Sequence, residues 1–273
     1  MFKIINYDGI LVFLQKISSL KITFLGTGTS QGIPVINSKH PVCLSTDERD
    51  KRLRVSILVE WDNFAYVVDC GPDFRYQMLR ANVNAINGVL FTHEHSDHTA
   101  GLDDLRPYSF QLGSVPIYAQ QRVLVNLTRR FDYIFIDEDK YPGAPSVQQN
   151  VVENNPFLLG NLKVIPVEVN HGKLKIFGYR FNDIAYLTDV KSIDAIEKEK
   201  LKNLEVLIIN AIRHKPHHSH LNLEEALALI EELKPKKTYF THISHHLGFH
   251  SEVEEILPEN VFLAYDELVL EVK

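Results

Sequence analysis

The stretch that most limits what this chain can become is His93-Glu94-His95-Ser96-Asp97-His98, with three imidazoles and an aspartate in six residues. It follows the apolar run Gly88-Val89-Leu90-Phe91 and precedes Ala100-Gly101-Leu102. An apolar run of that length ending in polar residues reads as a buried strand delivering a loop. Imidazoles with a carboxylate are the donor set of a borderline-soft divalent ion. On an extended segment His93 and His95 alternate together, whereas the neighbours Asp97 and His98 are expected to point in different directions. One pair can then serve one ion and the other pair a second ion beside it.

The rest of the chain reads as strands alternating with helices. Lys21-Ile22-Thr23-Phe24-Leu25 is a strand ended by the glycine-rich loop 26–34. That loop has no P-loop lysine, and no helix pattern follows it as a dinucleotide fingerprint would require. Residues 55–60 and 65–68 predict a hairpin, followed by Asp69-Cys70-Gly71-Pro72-Asp73 and a helix through Ala81. Cys70 reads as core. A strand at 115–119 and a helix at 120–130 follow. The segment 131–155 has weak periodicity and is expected to be an insertion or lid-like loop.

Further on, a strand at 162–169 ends at Asn170-His171-Gly172, and a hairpin over 177–181 and 184–187 ends at Thr188-Asp189. A helical segment at 194–202 and a buried strand at 206–209 come next. Asn222 with Glu225 three residues on predicts a capping box, and Leu223, Ala226, Leu227, Ile230 and Leu233 form that helix's apolar stripe. A strand at 237–240 runs into Thr241-His242-Ile243-Ser244-His245. Two successive halves of this kind predict an α/β fold, an αββα sandwich.

Residues 1–20 are set apart as an N-terminal extension, with 21–273 as one domain. The run Ile10-Leu11-Val12-Phe13-Leu14 lacks the flanks and small-residue cleavage pattern of a signal peptide, so an extra amphipathic helix or arm is expected there. A chain of 273 residues that is 45% hydrophobic can bury a sizeable core. The net charge of -6 argues against a broad nucleic-acid surface. Two cysteines provide no disulfide framework and fit a reducing cytoplasm. No stretch is long and apolar enough to span a membrane.

His93-x-His95-x-Asp97-His98 resembles the signature of the metallo-β-lactamase-fold hydrolases, a two-metal family, and the resemblance extends from about Lys21 to near the C-terminus. Gly26-Thr27-Gly28, Gln31-Gly32, Phe91-Thr92-His93 and residues 241–245 are similar to the branch containing cyclic-phosphate phosphodiesterases and tRNA 3′-processing endonucleases. The resemblance implies His93, His95 and His171 on one ion, Asp97, His98 and His242 on the other, and Asp189 bridging them. It implies that Asp69 supports the metal loop and that Ser30 and Gln31 border the site. His95 differs from the glutamate of the di-iron flavoprotein branch, and Asp189 from the cysteine of common β-lactamases.

The activity implied is hydrolysis of a small cyclic phosphate or related phosphodiester by a hydroxide bridging two divalent ions, zinc or manganese. Asp97 and His220 are the candidate catalytic residues, with His220 as proton donor to the leaving oxygen. The alternative is a tRNA 3′-processing-like or DNA nuclease of the same fold. The resemblance to the cyclic-phosphate phosphodiesterases of this branch also implies a structural zinc site of three cysteines and a histidine. Here those positions read Ser38, His40, Cys43 and His245, so His40, Cys43 and His245 are the candidate remnant. A small-molecule phosphodiester and a second copy of the chain are the expected partners.

Overall fold

Strands that are buried on both faces dictate the architecture. In the strand Ser56–Trp61, Ile57, Val59 and Trp61 enter one apolar cluster while Leu58 enters another on the opposite face. In Val206–Asn210, Val206 and Ile208 join that same first cluster while Leu207 and Ile209 join a third. Because side chains alternate with period two, such strands need cover on both sides. The covering layers are a second sheet within and helices without.

The computed structural model describes residues 2–7, 10–15, 17, 19–136 and 138–272. Strands β1 (Phe2–Tyr7) and β2 (Ile10–Gln15) pair antiparallel as a separate two-stranded ribbon. The first seven-stranded sheet contains β3 (Leu20–Gly26), β4 (Ser56–Trp61), β5 (Phe64–Val68), β6 (Gly88–Leu90), β7 (Val115–Ala119) and β8 (Val147–Val151). The second contains β9 (Phe157–Leu159), β10 (Leu162–His171), β11 (Leu174–Phe181), β12 (Ile184–Leu187), β13 (Val206–Asn210), β14 (Lys237–Thr241) and β15 (Val261–Leu263). Strand β16 (Val269–Val272) returns to the first sheet beside β3.

The two sheets repeat one plan. From β3 to β5 the pairing is antiparallel and from β5 to β8 parallel; from β9 to β12 it is antiparallel and from β12 to β15 parallel. Phe24, Trp61 and Tyr66 meet Phe177, Tyr179, Phe181 and Tyr186 between the sheets. Outside the first sheet, Phe74, Met78, Leu124 and Leu127 pack on Val67, Val89 and Ile117. Outside the second, Leu223, Ala226 and Leu229 pack on Val169, Leu187 and Leu207. The result is the αββα sandwich.

The helix Leu223–Leu233 starts where its sequence dictates. Asn222 accepts from the Glu225 amide at 2.9 Å, and Glu225 accepts from the Asn222 amide at 3.0 Å. Such a cap stabilises by about 1 kcal/mol. Asn222 also donates to the His214 carbonyl at 2.8 Å, which ties the histidine-rich loop before the helix to its first turn.

Three local expectations are refined or changed. Of the amphipathic helix or arm expected at the N-terminus, residues 2–7 and 10–15 form an arm, a β-ribbon in which the apolar run Ile10–Gln15 pairs with Phe2–Tyr7. The expected lid-like stretch 131–155 contains a short helix, Asp132–Phe135, and the edge strand β8. Residues 96–99 form a helical turn, so Asp97 and His98 converge instead of diverging.

Candidate metal centre

The candidate ligands come from the carboxyl ends of strands in both sheets, where an open α/β sheet leaves a crevice. Asp69 follows β5 and the loop 93–98 follows β6, while His171 ends β10, Asp189 follows β12 and His242 follows β14. Asp69, Asp189 and His242 have φ of 66°, 61° and 52°, the left-handed region that side chains with a Cβ seldom adopt. Each turns its chain sharply at the strand end, at a cost on the order of 1 kcal/mol. Asn210, at the end of β13, repays the Asp189 turn: its Oδ1 accepts from the Val190 amide at 2.6 Å and its Nδ2 donates to the Val190 carbonyl at 3.1 Å.

At the centre lies Asp189, 2% exposed, and its two oxygens face different sets of imidazoles. Oδ1 is 3.5 Å from His98 Nε2 and 3.4 Å from His242 Nε2. Oδ2 is 3.9 Å from His93 Nε2, from His171 Nε2 and from His220 Nδ1. Asp97 Oδ2 joins the first set, 3.3 Å from His98 Nε2 and 3.8 Å from His242 Nε2. His95 joins the second, its Nδ1 2.9 Å from His93 Nε2. Two donors on one ion at about 2.1 Å stand roughly 3.4 Å apart in a tetrahedral site, which the 3.3, 3.5 and 3.4 Å spacings among His98, His242, Asp97 and Asp189 match.

Among the described residues, three groups of ligating atoms lie within 4.8 Å of one another: His93, His95 and His171; Asp97, His98, Asp189 and His242; and His171, Asp189 and His220. The buried nitrogens His98 Nε2 and His242 Nε2 have no hydrogen-bond partner. Buried imidazole nitrogens without partners, aimed at carboxylates, are costly unless a cation completes them. The residues present fit two divalent ions sharing one carboxylate.

The surroundings orient the donors. His98 Nδ1 lies 2.7 Å from Asp69 Oδ2, which leaves its Nε2 for the site. Asp69, fully buried, also accepts from the Thr92 amide and hydroxyl at 2.8 Å each. His171 Nδ1 donates to the Ser219 carbonyl at 2.9 Å. Burial lowers the His93 imidazole well below its ordinary value, aided by repulsion from His98. For His98 burial works downward too, but Asp97, Asp189 and Asp69 outweigh it and raise the group. Burial pushes Asp97 and Asp189 upward, yet the facing imidazoles of His98 and His242 hold both well below the carboxylate range.

A cleft of about 480 Å³ opens onto these groups, lined also by Ser30, Gly172, Lys173, Leu174 and His218. All seven ligand candidates and His220 thus meet at one place. Ser30 borders the cleft, while the exposed Gln31 does not line it. His40, Cys43 and His245 lie elsewhere and do not form a group of this kind. His40 and His245 have ring centroids 4.9 Å apart, and His246, at 5.5 Å from His40, crowds the same corner. Thr92, the Ser219 carbonyl and Lys173 were not singled out from the sequence. Position offered the clue: Thr92 precedes His93, Ser219 precedes His220, and Lys173 lies two residues after His171.

A profile of the β-lactamase superfamily domain matches residues 65–243, a span that holds Asp69, all seven ligand candidates and His220. A solved structure described as a new diphosphatase from the PhnP family is 42% identical, covering 94% of this chain and 98% of that one with a TM-score of 0.88. An octanoyltransferase of Porphyromonas gingivalis is 40% identical over 252 residues, 91% of this chain and 51% of that protein. A ribonuclease Z of Pyrobaculum islandicum is 25% identical over 188 residues, 68% of this chain and 54% of its own length. The chain thus spans about half the length of these two curated relatives.

Proposed function

Because the chain belongs to the metallo-β-lactamase superfamily, in its PhnP-like branch, we propose that it is a binuclear phosphoric diester hydrolase acting on a small cyclic phosphate or related diester. The observation that carries this reading is the division of Asp189, with Oδ1 toward His98 and His242 and Oδ2 toward His93 and His171. A carboxylate so placed can span two ions, and two ions suit attack on phosphorus. His93, His95 and His171 would hold one, and Asp97, His98 and His242 the other, as zinc or manganese. Bound there, the pair supplies a hydroxide at neutral pH and neutralises charge on the phosphoryl oxygens.

The protein's own groups do the positioning. Asp69 fixes the tautomer of His98, and the Ser219 carbonyl fixes that of His171. Asp97 is both ligand and catalytic group, set beside His98 and His242 at the cleft. His220 is 8% exposed, with its ring centroid 4.7 Å from that of His171 and 4.8 Å from that of His242. Burial lowers it to about 2, so the resting ring is neutral. The negative charge of a bound phosphoryl group would favour the imidazolium, so that the ring takes a proton from solvent in the open cleft and gives that proton to the leaving oxygen, returning to the neutral form.

The test is parallel assay of metal-reconstituted protein on bis(4-nitrophenyl) phosphate, phosphoribosyl cyclic phosphate, a dinucleoside diphosphate, pre-tRNA and an octanoyl thioester. Turnover of a small phosphoryl substrate is expected. Hydrolysis of the thioester alone would sink the reading and point toward the acyl chemistry named for the P. gingivalis relative. The second reading is a nuclease, favoured by the ribonuclease Z relative and opposed by a net charge of -6. Salt-dependent binding of pre-tRNA would favour it. A homodimer is expected from light scattering. Among the described residues no helix is long and apolar enough to cross a membrane.

A further inference from the structure

Between the ligands His93 and His95 stands Glu94, whose side chain turns to the helix Gln121–Arg130 instead of the candidate ions. Its Oε2 is buried without a hydrogen bond, and the cation that faces it is Arg122, with Nη2 at 3.4 Å. A buried carboxylate oxygen is costly unless a positive charge is set against it. The same Arg122 nitrogen donates to the Gln120 side chain and to the Lys175 carbonyl, each at 2.8 Å. Lys175 lies in β11 opposite Asn170, the residue before His171. Arg122 therefore ties the loop that carries His93 and His95, in the first sheet, to the hairpin that carries His171, in the second.

Beneath the loop the sheets are already joined. The Phe177 amide donates to the Thr92 carbonyl at 3.1 Å, and the Tyr179 hydroxyl donates to the Phe91 carbonyl at 2.7 Å. Both bonds hold residues before His93, whereas the link from Glu94 through Arg122 to Lys175 holds the residue after it. At the far end of the helix, Arg130 donates to the Glu94 carbonyl at 3.0 Å and to the Thr99 hydroxyl at 2.9 Å, which keeps the loop's backbone against the helix. The other set of ligands is supported differently: Asp69 holds His98, and Asn210 holds the turn at Asp189. Among the described residues, no hydrogen bond or ion pair runs from the Glu94 or Arg122 side chain to Asp97, His98, Asp189 or His242.

We propose that Glu94 and Arg122 are positioning residues for one ion only. They set the span from His93 and His95 to His171, so the affinity of that site is governed separately from that of the site at Asp97, His98 and His242. This rests on the two-ion reading of the centre, and its test reads bound metal as well as turnover.

The experiment measures zinc binding to the metal-stripped full chain by calorimetry and chelator competition. The proteins are wild type, Glu94→Gln, Arg122→Gln, their double variant, His171→Ala and Arg122→Gln combined with His171→Ala, with the exposed Arg129→Gln as control. Loss of a support behind the ligands should weaken one ion about tenfold in either single variant and leave the other within about twofold. The double variant should be within about twofold of each single, since both break one link. His171→Ala marks the affected ion, so adding Arg122→Gln to it should not weaken the ion that remains. Arg129→Gln should change neither ion by more than about twofold.

Equal weakening of both ions, additive effects of the two single variants, or weakening of the ion that survives His171→Ala would each overturn the proposal. If the contrast holds while no phosphodiester is hydrolysed, the positioning role stands and the hydrolase reading falls. If diesters are hydrolysed by a two-ion protein without the contrast, the reverse holds. Uptake of a single ion by wild type would end both.

Discussion

Two corners of this molecule collect histidines, and they behave oppositely. In the first, imidazoles of His93, His98, His171 and His242 face the carboxylate of Asp189, and Asp97 adds a second negative charge. In the second, His40, His245 and His246 face one another, with His245 and His246 centroids 3.9 Å apart. Burial lowers His245 and His246, and the positive charges around them lower them further: His246 and His40 act on the former, His40, Arg213 and Lys215 on the latter. The first corner sets two carboxylates among its imidazoles, charge that a cation would neutralise; the second sets imidazoles against one another with no carboxylate facing them among the described residues.

The sharpest way to break this contrast is to remove the focus. Asp189→Ala should lose bound metal and reduce turnover on the order of a thousandfold, with metal counted by elemental analysis of the folded variant. Retention of two ions with full activity would end the bridged-pair reading. His220→Ala comes next. It should keep both ions and lose about a hundredfold in turnover, in the range of a lost acid–base group. Loss of an ion instead would make His220 a ligand, as its grouping with His171 and Asp189 permits.

A smaller effect is expected one layer out. Asp69→Asn keeps the size of the side chain but removes the charge that orients His98 through its Nδ1. Metal affinity should fall about 10- to 100-fold, the usual cost of such a support, in a chelator competition assay. Circular dichroism separates this from unfolding, since Asp69 also accepts two bonds from Thr92.

How much of this could be read from the residues depends on distance in sequence. The loop 93–98 was legible because four donors lie within six positions after an apolar strand. His171, Asp189 and His242 were legible as ligands only through family resemblance, for nothing local distinguishes them from ordinary polar residues at strand ends. Their convergence comes from the sandwich, which brings the ends of β6, β10, β12 and β14 together. Strand β8 was missed because Val-Gln-Gln-Asn-Val is mostly exposed; its strand character comes from pairing with β7, not from its own periodicity. The β1–β2 ribbon was missed because a five-residue apolar run does not by itself separate helix from strand. The direction of Asp97 and His98 was misjudged because a helical turn replaces the extended loop.

The smallest expected effect belongs to the second corner and tests the comparison from its other side. His245→Ala should leave the metal count at two ions per chain and turnover within about twofold, because His245 faces no carboxylate and donates to no gathered set. A fall from three ions to two would show that His40, Cys43 and His245 hold a cation, and the electrostatic contrast would fail. The pH dependence has a definite sign. A histidine held below its ordinary value of 6.5 favours the neutral ring in the folded state. Its contribution is therefore complete above that value and declines as the pH falls below it, where the unfolded chain binds the extra proton. Melting curves at pH 7.5 and 5 should show a slightly smaller acid loss in His245→Ala than in wild type, since one half-buried imidazole no longer has to remain uncharged. An equal or larger loss in the variant would mean that another group, facing this corner with the opposite charge, had been left out of the balance.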